Sequence, residues 1–131
     1  MEARFVFRSE RFDHSSELPP DANAGNRFYG RDVAEFLTDG LERQGYEASV
    51  LDEDWGWLVR ARVVPERTLE IGVYHDIEEP GSPDEWTLIV RSRRRVLGVL
   101  PREAPLAADD AAALERVFQA AGIALTRPSD G

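Results

Sequence analysis

Hydrophobic and polar positions alternate along most of the chain, and in two stretches the alternation gives way to helical spacing. Residues 3–9 set Ala3, Phe5 and Phe7 among Arg4, Val6 and Arg8 and predict a first strand. Residues 13–29 hold Ser15, Ser16, Pro19, Pro20, Asn23, Gly25 and Asn26 and predict a long loop, with Phe28 and Tyr29 pinning its far end. Val33, Phe36, Leu37 and Leu41 then recur on one side of a helix over 31–44. Asp32 and Glu35 fit a capping box at its start, and Gly45 fits a C-terminal glycine. Gly40 weakens that helix by about 1 kcal/mol relative to Ala, which a close approach to the sheet would explain.

Four strands are expected next. Tyr46, Ala48 and Val50 alternate with Glu47 and Ser49. Trp55, Trp57, Val59, Ala61 and Val63 share one face of residues 55–64, and Leu69, Ile71, Val73, His75 and Ile77 share one face of residues 68–77. Trp86, Leu88 and Val90 mark the strand over 85–93. Residues 96–100 read as a short strand or an irregular return, followed by a loop between Pro101 and Pro105. A second helix over about 108–121 carries Leu114, Val117, Phe118 and Ala121, with Asp109 or Asp110 as its cap and Gly122 at its end. The order β-α-β-β-β-β-α, with short connections, predicts an α+β fold: an antiparallel meander of about five strands with both helices on one face.

Length and composition leave that picture intact. The 131 residues suit a single α+β domain over 1–131 with a polar tail at 126–131. With 42% hydrophobic and 31% charged residues the chain reads as globular. The absence of Cys removes disulfides, thiolate metal sites and Cys nucleophiles. Charges interrupt the start too often for a signal peptide, and no apolar run is long enough to cross a membrane, so a cytoplasmic protein is expected.

Charge narrows the partners. The net charge of −9 opposes nucleic acid and anionic lipid and favours basic proteins. The 16 basic residues are all Arg, which reads as a composition bias and not as a functional signal. Two acidic stretches stand out: Asp52, Glu53 and Asp54 at one turn, and Asp76, Glu78 and Glu79 with Asp84 and Glu85 at another. In a meander both turns fall at the same end of the sheet. Together they form an acidic rim that reads equally well as a partner surface and as a solvated edge. Trp55 and Trp57 lie two apart on one face. They serve a partner or the core, and the apolar residues that continue the face favour the core.

Nothing in the sequence selects a catalytic set. His14, Ser15 and Asp13 are too close in sequence to form a triad, and His75 beside Asp76, Asp52 and Asp54 lacks convergent metal ligands. No phosphate loop or dinucleotide fingerprint is present, and no cofactor is expected.

The helix before Glu53-Asp54-Trp55-Gly56-Trp57, that acidic Trp-Gly-Trp turn and the overall size resemble small bacterial proteins of the immunity type. The resemblance covers about a quarter of the chain. It implies a small acidic cytoplasmic α+β protein that blocks a toxin by direct binding, and it carries no inhibitory residue across.

Two functions are therefore expected. The first is a non-enzymatic interaction module that binds a basic partner through Asp52, Glu53, Asp54, Trp55, Asp76, Glu78 and Glu79. The second is a small-molecule or anion site on the open sheet face, using Tyr29, Tyr74, Arg91 and Arg93, where paired arginines suit a phosphate or carboxylate. The same open face, with Gly72, Tyr74 and the Trp86 side, is a candidate homodimer surface.

Overall fold

A computed structural model of the chain describes residues 2–12, 30–53, 56–75, 85–95 and 102–127. The loop expected over 13–29, the stretch 96–100 and the tail beyond 127 lie outside the described residues.

The elements are β1 (Glu2–Arg8), α1 (Arg31–Arg43), β2 (Glu47–Glu53), β3 (Gly56–Val64), β4 (Arg67–Tyr74), β5 (Glu85–Arg94), β6 (Arg102–Ala104) and α2 (Ala108–Gln119). The fold is α+β, with an antiparallel sheet of order β1-β5-β4-β3-β2. The described strands number six, because Arg102–Ala104, expected as loop, pairs with Ser92–Arg94 of β5. β1 begins opposite Arg91, so β6 continues the β1 side of β5 where β1 stops. Past α2 the chain returns to the same edge. Val6 and Thr126 exchange backbone hydrogen bonds of 2.8 and 2.9 Å, so the tail is anchored at its first residue.

Strand alternation sends Phe5, Phe7, Trp57, Val59, Ala61, Leu69, Ile71, Val73, Trp86, Leu88 and Val90 to one face. There they form one core with Val33, Leu37 and Leu41 of α1 and Leu114, Val117 and Phe118 of α2. Trp57 is therefore core. Trp86 is fully buried on the same side, with its ring 4.6 Å from that of His75, so it is absent from the open face proposed for a dimer. Val63, expected inward, is 42% exposed, because the β3–β4 register shifts between Arg62 and Val64 and turns the strand end outward.

The helix ends show where local signals were followed and where tertiary contacts overrode them. α1 closes with Gly45 at φ 93, Tyr46 N–H bonding the Leu41 carbonyl and Gly45 N–H that of Glu42, a Schellman arrangement. α2 closes in the same way at Gly122 (φ 74). The N-termini differ from expectation. Gly30 is the N-cap of α1, and neither helix has a side-chain cap. The capping box does not form: Asp32 accepts from the adjacent Val33 N–H, and Glu35 pairs with Arg31 at 3.0 Å.

Asp110 does not cap α2 either, because its carboxylate is used inside the protein. It is 1% exposed, and its Oδ1 accepts hydrogen bonds from the Tyr46 hydroxyl and from Arg67 Nη2 at 3.2 Å. Oδ2 lies 2.7 Å from Arg67 Nε, an ion pair by distance whose angle is not that of a hydrogen bond. Gly40 sits at the helix crossing and not against the sheet. A Cβ there would stand 2.5 Å from Val117 Cγ1 and 2.9 Å from Val117 Cγ2.

Two stability effects follow. Gly40→Ala gains about 1 kcal/mol of helix propensity but overpacks the crossing at a cost of about 1–3 kcal/mol, so the variant melts lower. Adding Val117→Ala to it relieves the clash, and the pair loses less than the sum of the single variants in urea unfolding. Burial, and then the hydrogen bond to Asp110, raise the Tyr46 phenol above its ordinary 10.0. The phenol is neutral when protonated, so its contribution is complete below pH 10.0 and declines as pH rises above it. Tyr46→Phe costs about 1.5–3 kcal/mol at neutral pH and flattens the alkaline fall in stability, as urea unfolding across pH reads out.

Candidate functional site

The face of the sheet turned away from the helices carries the charges. Pairing places its side chains in rows that cross the strands. One row runs Ser49, Arg60, Glu70, Arg91, Glu2. The next runs Leu51, Leu58, Gly72, Ile89, Arg4. Beyond it, Tyr74, Thr87 and Val6 stand in register. An apolar strip thus lies beside a charged one, because opposite charges directly across strands stabilise the pairing.

The charged strip is largely paired within the chain. Glu70 is central. Its carboxylate lies 2.6 Å from Arg93 Nε and 3.6 Å from Arg60 Nη2, and its side chain is only 19% exposed. Glu47 bonds Arg62 at 3.0 Å, and Arg8 meets Glu85 at 3.9 Å. Arg91 donates from Nε and Nη2 to Glu2, and those bonds hold its guanidinium above its ordinary pKa. Partial burial raises the Tyr74 phenol, while the nearby Arg91 charge opposes that shift.

Where the strips meet, a shallow depression of about 210 Å³ is lined by Glu53, Leu58, Glu70, Gly72, Tyr74, Ile89 and Arg91. Gly72 contributes no side chain, so the floor sits lower between Leu58 and Ile89. Tyr74, at 40% exposure, is among the most exposed large hydrophobic side chains described.

The two expected sets fare differently. Of the anion set, Tyr74, Arg91 and Arg93 share this face. Tyr74 and Arg91 line the depression, whereas Arg93 is engaged by Glu70, and Tyr29 lies outside the described residues. Of the acidic set, Asp52 and Glu53 end β2, but adjacent residues of a strand point to opposite faces. Asp52 is in register with buried Trp57 on the helix side, and Glu53 faces the depression. Asp54, Trp55, Asp76, Glu78 and Glu79 lie outside the described residues. Among the described residues no group of three His, Asp or Glu side chains could hold a metal ion, and no helix is long and apolar enough to cross a membrane.

Sequence reasoning passed over Leu51, Leu58, Glu70 and Ile89. Strand alternation placed each on the polar side, but only the register shows that they stand side by side. No family model matches the chain, and no curated protein or solved structure does, so the reading of function rests on the chain's own geometry.

Proposed function

We propose that the protein is a non-enzymatic interaction module that binds a basic protein partner at the end of the sheet where β2 and β4 finish. The support is topological. β2 and β4 flank β3 and run in the same direction, so Glu53 and Tyr74 close their strands at one end of the sheet. The sequence continues from both strand ends into Asp- and Glu-rich stretches, Asp54 after Glu53 and Asp76, Glu78 and Glu79 after His75. Acidic groups gathered at one end create a field that attracts and orients a basic surface. In its narrower form, the partner is a basic toxin and the protein an immunity-type inhibitor.

The depression lined by Tyr74 and Arg91 favours a second reading, a site for a small anionic molecule on the open face.

Reversal of Asp52, Glu53 and Asp54 to Arg alters none of the buried core residues described above. Affinity capture with the triple variant is expected to lose a basic protein that the wild type retains at low salt and releases at high salt. An identical set of captured proteins would overturn the rim. For the second reading, a metabolite that raises the melting temperature of the wild type but not of Arg91→Ala is the expected outcome, and no shift across a broad panel refutes it.

A further inference from the structure

The two edges of the sheet are finished differently. β1 is met on its outer side at Val6, where Thr126 exchanges two backbone hydrogen bonds with it, and β6 extends its line. β2 pairs with β3 through seven successive residues in unbroken register, and among the described residues no strand lies on its other side. Edge strands are commonly blunted by charged side chains, Lys above all, by Pro, by a bulge or by short length. β2, Glu47-Ala48-Ser49-Val50-Leu51-Asp52-Glu53, has no Pro, Gly, basic residue or bulge, and its three carboxylates stand at its two ends, so residues 48–51 carry no charge. Ala48, Val50 and Leu51 are half-buried and Ser49 is exposed, so the middle of the strand reaches the surface. A strand of this kind offers its outward backbone N–H and C=O groups for pairing.

The charges of β2 state what can pair with it. Its only ionisable groups are carboxylates, Glu47 at one end, where an exposed pair with Arg62 at 3.0 Å must be exchanged for a partner's charge, and Asp52 and Glu53 at the other. A second copy running antiparallel about Val50 would set Glu47 opposite the other copy's Glu53, and a parallel copy would stack each acid on itself. Both arrangements repel.

From these observations we infer that the outer edge of β2 is a strand-addition site for an extended segment of a partner protein, apolar in the middle and basic at both ends. The inference deepens the reading above and rests on it, since it names how a basic partner seats. Main-chain bonds to residues 48–51 supply the pairing, and the flanking carboxylates select the charge.

The probe is a peptide of alternating Val and Thr with two Arg at each end, set against the same peptide ended with Glu. Amide spectra of the intact protein are expected to shift at residues 48–51 with the Arg-ended peptide, saturably and more weakly in high salt. The Glu-ended peptide binds about tenfold more weakly or worse. Shifts confined to another surface, or equal binding of both peptides, overturn the inference.

Ala48→Pro and Ser49→Pro provide an independent test. Alternate N–H groups of an edge strand point outward, so one of the two substitutions removes an outward donor while leaving the ladder to β3 intact. That variant keeps its melting temperature and binds the Arg-ended peptide about fivefold to tenfold more weakly. Unchanged peptide binding by the variant that keeps its melting temperature refutes the edge. Partner capture lost in the Asp52, Glu53 and Asp54 reversal but kept in that proline variant leaves the rim standing and removes the edge. Capture kept by both removes the two together.

Discussion

A carboxylate taken out of water requires partners, and Asp110 finds its partners in two segments far away in sequence. Tyr46 follows α1, Arg67 opens β4, and Asp110 stands in the first turn of α2. A buried ion that loses its oppositely charged partner costs about 3–5 kcal/mol, so this cluster tolerates few arrangements of the three segments. It holds the start of α2 over the start of β4 and draws in the turn that leads from α1 to β2. The Gly40–Val117 crossing then sets how closely the two helices approach. With the helix layer fixed in this way, one face of the sheet is committed to the core.

The other face inherits the charges that a core cannot hold. Its cross-strand pairs, Arg60–Glu70–Arg93 in the middle and Glu2–Arg91 and Glu47–Arg62 toward the sides, join all five long strands with opposite charges. Exposed pairs of this type contribute little to stability individually, but they disfavour a wrong register, since a slip by one residue would bring charges onto the core side. The excess of acid over base is placed unevenly. Strand β2 carries three carboxylates and no base of its own, and it forms one side of the sheet. Arg60 and Arg93 converge on Glu70 of β4, whereas Arg62 and Arg91 reach outward to Glu47 and Glu2 on the two edge strands.

Much of this was legible in the chain. The period of two in residues 69–73 and 86–90 announced which side of β4 and β5 is buried, and the glycines at 45 and 122 announced where the helices stop. Those signals are local and depend on geometry within a few residues. What escaped were interactions between distant parts. A carboxylate in the first turn of a helix reads as a cap whether or not a tyrosine and an arginine from elsewhere claim it, as they claim Asp110. Gly40 reads as a weak point in α1 until Val117 is set against it. Asp52 and Glu53 read as one acidic patch until the pleat of β2 sends them to opposite sides. Of the candidate sites, the grouping of Tyr74 with Arg91 was readable from the alternation of β4 and β5. The pairing of Arg91 with Glu2 was not, because it depends on which strand becomes the neighbour of β5.

The bridge between Val6 and Thr126 bears on how the molecule responds to force. The two segments run antiparallel, and Arg127 lies over the ring of Phe5, on the side of Thr126 that faces the beginning of β1. Glu2 and Arg127 therefore point toward the same end of the sheet. Tension applied between them would peel the pair apart from that end, loading its bonds one after another, whereas strands pulled from opposite ends share the load in shear. The molecule is mechanically soft along the line joining these two positions, and the first piece to leave under load would be the cover of the β1 edge, well before the helix layer held by Asp110 is disturbed.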